Sequence, residues 1–267
     1  MRIAVLSDVH GNLPALEASL DAIRREGVDA YACTGDLVGY GPFPNECVEV
    51  VAELAPAWVV AGNHDLIALG RLSGDRCIRL ARESLDWTRK VLTEEARAHL
   101  SALPLRADAA HGVVLAHGSL EDPEEYTTKP DQATRQLDRL AGEGLAAPIL
   151  LLGHTHRAWA WSRDTGTLKP TATGTLALTD GAGVILNPGA VGQSRERHVH
   201  ARFLVLDLER REARFFAIPY DVARCREALL RCGLPPSSYH LPPARVRPLR
   251  WAAGRALGLV ARVGESK

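Results

Sequence analysis

The hydrophobic pattern near the start of the chain alternates between short apolar runs and a longer amphipathic segment. The runs at 2–7, 30–34 and 57–61 are short and bounded by turn residues, which is typical of buried strands. Between the first two, residues 12–26 place leucine and isoleucine on one helical face and carry a proline in the first turn. A strand, a helix and a strand within about thirty residues predict a parallel βαβ unit.

The rest of the chain carries further apolar runs, and their order predicts the fold class. Helices are predicted at 46–54 and 221–232, and as a pair within 75–102 that breaks near Thr93. The remaining strands are predicted at 113–116, 148–152, 158–161, 171–178, 183–187, 201–207 and 212–218. Because parallel units come first and a meander of neighbouring antiparallel strands follows, we expect an α/β fold, a four-layer αββα sandwich of two mixed β-sheets flanked by helices.

Side chains that can bind metal ions follow five of the predicted strands. They are Asp8 and His10, Asp36, Asn63 and His64, His117, and His154 and His156. Taken singly, each could be a buried, hydrogen-bonded polar group. In an open α/β sheet, however, sites form beyond the carboxyl ends of the strands, and convergence there explains all five clusters together. In the last cluster, Gly153 permits a turn that would bring both neighbouring imidazoles to one rim.

The order and spacing of these clusters resemble the calcineurin-like metallophosphoesterases. Residues 39–46 and 187–193 also resemble the small bacterial and archaeal phosphodiesterase-type branch of that superfamily, and the likeness covers roughly residues 1–235. Each motif is weak alone, whereas five in order are specific. The motifs are Asp8-Val9-His10, Gly35-Asp36, Gly62-Asn63-His64-Asp65, Ala116-His117-Gly118 and Gly153-His154-Thr155-His156.

The resemblance implies a site for two divalent metal ions. The implied ligands are Asp8, His10 and His156 for one ion, Asn63, His117 and His154 for the other, and Asp36 as a bridge between them. A mixed nitrogen and oxygen set disfavours Ca and Mg and favours Mn(II), with Fe, Ni, Co and Zn as alternatives. A bridging carboxylate is physically reasonable because it screens the two cations from each other.

The resemblance also implies a mechanism. A hydroxide that bridges both ions would be the nucleophile, and His64 would be the general acid that protonates the leaving oxygen. The alternative for His64 is to orient the neighbouring Asn63. Asp65 could orient His64 or cap the next helix.

Two further residues are candidates for substrate binding. The planar guanidinium of Arg195 fits a phosphate group, and the alternative is a surface ion pair with Glu196. Asn12 could donate to a phosphate oxygen or cap the first predicted helix. The helix pair within 75–102 could form a lid over the site, although a plain packing pair is the preferred interpretation.

Departures from known subclasses narrow the predicted activity. Protein Ser/Thr phosphatases of this superfamily carry Asp-Arg-Gly shortly after the second motif, where Asp36 here leads into Leu37-Val38-Gly39-Tyr40. Purple acid phosphatases place a ligating Tyr where this chain has Gly39. We therefore predict a dinuclear-metal hydrolase of phosphate esters, preferably a phosphodiesterase. The alternatives are a phosphomonoesterase, a dinucleoside polyphosphate hydrolase, or a catalytically silent metal-binding scaffold.

The amino-acid composition limits which binding partners and which cellular location we expect. The 267 residues include 32 Lys and Arg and 32 Asp and Glu, and this balance argues against a nucleic-acid binder. The expected partner is a small phosphorylated substrate, with nucleotides among the candidates. Five cysteines without a Cys-x-x-Cys pair disfavour a disulfide framework. No apolar run reaches the ~18 residues of a membrane span and no secretory-signal pattern is present, which predicts a cytoplasmic location.

The C-terminal residues differ from the rest. We predict a metallophosphoesterase domain over 1–240 and a basic, proline-punctuated extension over 241–267. Within the extension, 249–263 places apolar residues on one helical face and arginines largely opposite, which predicts a short amphipathic helix. Docking on its own domain is the preferred interpretation, and a membrane-surface or partner-binding helix is the alternative.

Overall fold

The computed structural model describes residues 1–168, 174–178, 181 and 183–243. In this part of the chain the strands are β1 (Arg2–Leu6), β2 (Ala30–Cys33), β3 (Ala57–Val59), β4 (Arg106–Asp108), β5 (Val113–Ala116), β6 (Ile149–Leu151), β7 (Ala158–Ser162), β8 (Gly166–Leu168), β9 (Gly174–Ala177), β10 (Val184–Pro188), β11 (Ala201–Asp207) and β12 (Glu212–Ile218). The α-helices are α1 (Leu13–Glu26), α2 (Pro44–Ala52), α3 (Asn63–Ala68), α4 (Arg79–Val91), α5 (Glu94–Ala102), α6 (Pro130–Gly142) and α7 (Val222–Arg231).

The strands form two six-stranded mixed sheets. The first has the order β3-β2-β1-β11-β12-β9, and the second has the order β4-β5-β6-β10-β7-β8. In the first sheet β1, β2 and β3 are parallel, and in the second β5, β6 and β10 are parallel. The predicted βαβ unit is confirmed, and each parallel set places its carboxyl ends at one edge of its sheet.

The core is layered because side chains alternate between the two faces of each strand. Ile3 and Val5 of β1 pack between the sheets, in one cluster with Leu115 of β5. Leu6 of β1 packs outward in a second cluster with residues of α1 to α5. The outer face of the second sheet packs in the same way on α6, through residues such as Leu137. The predicted four-layer αββα sandwich is confirmed.

The break in the predicted helix pair has a local cause. The hydroxyl of Thr93 accepts a hydrogen bond from the backbone N–H of Ala96 at 3.2 Å, which satisfies an otherwise free donor at the start of α5. The helix pair therefore ends and restarts at the predicted residue.

The second half of the chain differs from the prediction in two ways. The pattern did not predict α6, because few of its positions are apolar and one of its buried positions is the polar Gln136. The later strands also do not form one run of neighbours. β7, β8 and β10 join the second sheet, whereas β9, β11 and β12 join the first. Strand periodicity shows which face is buried but does not identify the partner strand.

The residues after α7 return to the body of the domain. The hydroxyl of Ser238 donates to the Tyr40 carbonyl at 3.0 Å, and the N–H of Leu241 donates to the Ser194 carbonyl at 2.9 Å. The amphipathic helix predicted at 249–263, like the start of the strand predicted at 171–178, lies outside the described residues. Within the described ranges, no helix is both long and apolar enough to span a bilayer.

Candidate metal centre and cleft

Five strand ends bring the seven predicted metal ligands together, and each of these residues is at most 6% exposed. Their ligand atoms fall into two groups, each with all atoms within 4.8 Å of one another. The first group is Asp8, His10, Asp36 and His156, and the second is Asp36, His117 and His154. The side-chain oxygen of Asn63 adjoins the second group, 3.1 Å from Nε2 of His117. Asp36 is the residue that both groups share.

Backbone carbonyls orient three of the imidazoles, those of His10, His117 and His156. Nδ1 of His10 lies 3.0 Å from the Val38 carbonyl, and Nδ1 of His156 lies 2.6 Å from the Gln193 carbonyl. A carbonyl can only accept, so each Nδ1 carries a hydrogen, which leaves Nε2 directed into the centre as the atom available to a metal ion. Nε2 of His10 and Nε2 of His156 are 3.1 Å apart. Two ring nitrogens this close need a shared proton or a cation beside them.

Asp36 has one carboxylate oxygen bound to the backbone and one directed at the imidazoles. Its Oδ1 accepts a hydrogen bond from the backbone N–H of His64 at 2.8 Å. Its Oδ2 is buried, 3.2 Å from Nε2 of His117 and 3.6 Å from Nε2 of His10, where a proton on His117 or a metal ion can satisfy it. Nε2 of His154 is buried without a hydrogen-bond partner among the described residues. Buried acceptors without donors are costly, and bound cations would satisfy them, so the residues fit a pair of metal ions.

When no metal ion is bound, a proton on His117 partly balances the negative charge of the Asp8 and Asp36 carboxylates. Burial lowers the pKa of His117, but the Asp36 and Asp8 carboxylates outweigh burial and raise it to about 9. Burial raises the pKa of Asp36, but the charge on His117 outweighs burial and holds that pKa well below its usual range. Burial lowers the pKa of His154 to about 3, so this imidazole stays neutral at pH 7.

Backbone strain concentrates at the same residues. Five of the seven predicted ligands have left-handed φ angles, which cost roughly 1–3 kcal/mol per residue and cluster at functional sites. They are Asp8 (52°), His10 (50°), Asp36 (56°), His154 (62°) and His156 (55°). The local fold holds these side chains against backbone preference, which indicates a position set by chemistry.

The predicted reason for a glycine at position 153, a turn made by the glycine itself, is wrong. The left-handed turns at this strand end belong to His154 and His156 themselves, and Gly153 is not among the residues with positive φ. A Cβ on Gly153 would instead lie 2.1 Å from the hydroxyl oxygen of Ser7. Glycine is required there for the close approach of β6 to the end of β1.

His64 lies beside the metal centre without belonging to either ligand group. Its ring centroid is 4.7 Å from that of His10 and 4.9 Å from that of Tyr40, and it lines the cleft. Burial, the largest cause, lowers the pKa of His64 to about 4. A Cβ at Gly39 would lie 2.3 Å from Nδ1 of His64, so the glycine in the purple-acid-phosphatase tyrosine position leaves room for this ring.

Asp65 acts on the backbone. Its carboxylate accepts hydrogen bonds from the N–H groups of Asp36, Leu37, Val38 and Gly62 at 2.9–3.1 Å. The hydrogen bond from Gly62 caps the start of α3, which is the second of the two roles predicted for Asp65. The other three hydrogen bonds hold the turn that carries Asp36.

A cleft of about 320 Å³ opens over the metal centre. One wall comes from the segment that leads into α4, through Arg76, Cys77 and Ile78. The predicted helix pair is therefore part of the cleft as well as a packing unit. Arg76 is paired with Asp122 at 3.1 Å and with the buried Glu124 at 3.0 Å. Its charge is therefore balanced within the protein.

Arg195 faces this cleft and is not paired with Glu196. Its guanidinium donates to the Tyr126 hydroxyl at 2.9 Å, and among the described residues no carboxylate pairs with it. Glu196 instead binds Arg202, with Nε to Oε2 at 2.9 Å. The surface ion-pair alternative for Arg195 is therefore wrong.

Asn12 is not brought to the cleft. Its side-chain oxygen accepts from the N–H of Ala15 at 3.3 Å, which caps α1, and its amide donates to the Gly192 carbonyl at 2.7 Å and to the Tyr220 hydroxyl at 3.2 Å. The helix-cap alternative is the one observed, and the amide has no free donor directed at a substrate.

Sequence reasoning missed the aromatic wall of the cleft. Tyr126 packs on His154 with ring centroids 4.1 Å apart, yet it is 47% exposed. It lies in the segment between β5 and α6, which has no periodic pattern. A lone tyrosine in such a segment gives no sequence signal, so only the fold reveals it.

Two adjoining groups of buried imidazoles and carboxylates at the strand ends of an αββα sandwich define a dinuclear metal hydrolase centre. The Calcineurin-like phosphoesterase superfamily domain matches residues 1–211. The chain belongs to this superfamily of dinuclear-metal-dependent hydrolases of phosphate esters, and it is a metallophosphoesterase.

Other proteins are similar to this one over most of its length. An uncharacterized protein of Methanocaldococcus jannaschii is 33% identical over 238 residues, which are 87% of this chain and 93% of the relative. The crystal structure of a metallophosphoesterase from Sphaerobacter thermophilus is 35% identical, covers 90% of this chain and 96% of its own, and superimposes with a TM-score of 0.77. A hypothetical protein of Pyrococcus horikoshii OT3 shares the fold at 22% identity, with a TM-score of 0.70 over 89% of this chain and 96% of its own.

Proposed function

We propose that this chain is a Mn(II)-dependent phosphodiesterase whose two ions share Asp36. The observation that carries the proposal is the buried Oδ2 of Asp36, which lies 3.2 Å from Nε2 of His117 and 3.6 Å from Nε2 of His10, between two ligand groups that have no other residue in common. The ligands proposed for one ion are Asp8, His10 and His156, and those for the other are Asn63, His117 and His154. When bound, the ions would acidify the attacking water and stabilise negative charge on the phosphoryl oxygens.

The mixed donor set supports Mn(II) as the native metal. Four imidazoles are more nitrogen than Ca or Mg usually accepts, and the carboxylate and amide oxygens suit Mn(II) better than they suit softer metals. Fe, Ni, Co and Zn remain the alternatives that a metal panel tests.

The charge of the cleft favours a diester over a monoester. Arg76 is neutralised by Asp122 and Glu124, which leaves Arg195 as the unpaired cation among the described residues that line the cleft. One guanidinium matches the single negative charge of a diester better than the two charges of a monoester. The apolar wall at Ile78, which is 53% exposed, would accommodate the second ester group.

Two side chains of this site would act on the substrate directly. Arg195 would donate to a non-bridging phosphoryl oxygen, and its contact with Tyr126 orients it for this. His64 would protonate the leaving oxygen. Because burial lowers its pKa to about 4, His64 is neutral in the free protein at pH 7, and the negative charge of a bound phosphate ester would have to favour the protonated form.

Turnover of two chromogenic esters tests this function. With Mn(II), kcat/KM for bis(p-nitrophenyl) phosphate should exceed that for p-nitrophenyl phosphate by at least about tenfold, equivalent to ~1.4 kcal/mol. The reverse order would establish a phosphomonoesterase. No turnover of either ester, in protein shown to hold two ions, would establish a silent scaffold. A cytoplasmic location stays a prediction that cell fractionation would test.

A further inference from the structure

A second cavity, of about 440 Å³, adjoins the metal cleft. We name it the basic tryptophan pocket, after the lining residues Lys129, Arg157, Trp159, Trp161 and Arg197. We propose that this pocket is a second substrate subsite, which binds a nucleotide portion of the substrate: a planar base with a phosphate beyond the scissile one. The proposal rests on the phosphodiesterase function above and names its substrate class.

Two chain segments line both the metal cleft and the basic tryptophan pocket. Arg195 lines both cavities, and Arg197 follows it along the same loop. In the second segment, Tyr126 lines the metal cleft and Lys129, three residues later, lines the pocket. Arg195 and Tyr126 are hydrogen-bonded to each other at 2.9 Å, so a ligand whose scissile phosphate lies at Arg195 would reach the pocket over the outer side of this pair.

The aromatic platform of the pocket is fixed to the metal-binding turn. The indole N–H of Trp159 donates to the hydroxyl of Thr155 at 3.2 Å. Thr155 lies between the ligands His154 and His156, and its hydroxyl also accepts from the amide of Asn187 at 3.2 Å. Trp159 is half-buried, so the ring is held in place yet reachable. A planar base gains most from such a pre-positioned aromatic surface.

The pocket carries a net positive charge that favours binding of an anion. Lys129, Arg157 and Arg197 are exposed, and none of them pairs with a carboxylate in the described ranges. The one acidic residue of the lining, Glu196, is already bound to Arg202. A neutral base alone would not balance these three positive charges. The scissile phosphate cannot balance them either, because it is proposed to lie at Arg195. The pocket therefore fits a further phosphate on the same ligand.

Three substrates with one common leaving group separate the contributions of ring and charge. They are methyl p-nitrophenyl phosphate, thymidine 5′-(p-nitrophenyl phosphate), and the same thymidine ester with a 3′-phosphate. With the Mn(II)-loaded full chain, we expect kcat/KM to rise by about tenfold when the nucleoside is added and again by about tenfold when the 3′-phosphate is added. The rise should be mainly in KM, because the reacting group is unchanged.

Variants assign each step to its residues. Trp159→Leu should remove the nucleoside step, and Trp159→Phe, which keeps an aromatic ring, should largely restore it. The pair Lys129→Gln and Arg157→Gln should remove the 3′-phosphate step. Arg231→Gln, an exposed arginine of α7 outside both cavities, is the matched control and should keep both steps. Melting temperatures identify any variant that fails to fold.

Direct binding supplies a readout that does not need turnover. Titration calorimetry with thymidine 3′,5′-bisphosphate should show binding that weakens by about tenfold in Trp159→Leu and in Arg157→Gln. Wild-type turnover that is equal for all three esters, or bisphosphate binding that neither variant weakens, would overturn the subsite. If no ester is hydrolysed but the bisphosphate binding behaves as expected, the phosphodiesterase function fails and the pocket stands.

Discussion

The metal centre and the walls of the substrate cleft are built in opposite ways. The metal ligands stand at strand ends and are almost fully buried, and five of the seven have a left-handed backbone. The cleft walls come from irregular segments, with exposed side chains such as Tyr126 and Ile78. Packed strands keep the metal ligands in a fixed position, whereas segments on the surface can differ without disturbing the sheets. We therefore propose that the core sets the reaction chemistry and that the surface segments set the choice of substrate.

The largest loss of activity should come from removing the metal ions from the buried metal centre. Chelation should abolish hydrolysis of bis(p-nitrophenyl) phosphate, since metal ions supply several kcal/mol of transition-state stabilisation, or at least about 10³-fold in rate. Added Mn(II) should restore the rate, and the other divalent metals should restore less. Full activity in protein shown to be metal-free would contradict the metal assignment.

Loss of the proposed general acid should have the next largest effect. His64→Asn should lower turnover by ~10²–10⁴ while both ions stay bound, because His64 lies outside both ligand groups. Alkyl esters should lose more than nitrophenyl esters, since nitrophenolate leaves without a proton. His111→Asn is the control, because His111 is exposed and Asn tolerates its left-handed φ of 59°. A uniform loss with depleted metal would instead show that His64 orients Asn63.

A smaller effect on turnover is expected when a residue of the cleft wall is changed. Arg195→Gln should raise KM by about 10- to 100-fold, because a hydrogen bond to a charged group contributes ~1.5–3 kcal/mol. The loss in kcat should be smaller. Arg79→Gln, which changes an exposed arginine of α4 that does not line the cleft, is the control. An unchanged KM would remove Arg195 from the substrate site.

The smallest effect is a proton count. Since the pKa of His117 is raised to about 9 and a metal ligand must be unprotonated, binding of the ion at pH 7.5 should release about one proton. The release should disappear above pH 9, and affinity should fall by about tenfold per pH unit below it. His154, with a pKa near 3, should contribute none. Calorimetry in buffers of different ionisation enthalpy measures the release, and a value of zero at pH 7.5 would contradict the assignment of His117.

The same contrast explains what the sequence revealed. Asp8, Asp36 and His117 follow apolar runs directly, so their strands and their convergence could be predicted. The left-handed backbone that aims them, and the need for Gly153 to clear Ser7, depend on contacts between distant segments and could not. For the same reason, strand periodicity did not show that β9, β11 and β12 share a sheet with β1.

Substrate contacts were harder to predict because single polar residues in loops have several equivalent uses. Asn12 caps a helix, and Arg195 faces the cleft, although the sequence alone allowed a second role for each. Tyr126 and Trp159 carried no pattern that set them apart from packing residues. These walls become visible only when the fold brings the segment before α6 beside the loop at 193–197.

Electron paramagnetic resonance of the Mn(II)-loaded protein shows whether Asp36 joins a pair of ions. The wild-type chain should hold about two Mn(II) ions and give the spectrum of a spin-coupled pair, because one carboxylate links them. Asp36→Asn should lose that coupling together with most of the metal, whereas Asp21→Asn, an exposed aspartate of α1, should keep both. A wild-type spectrum of isolated Mn(II), or an unchanged coupled spectrum in Asp36→Asn, would contradict the account.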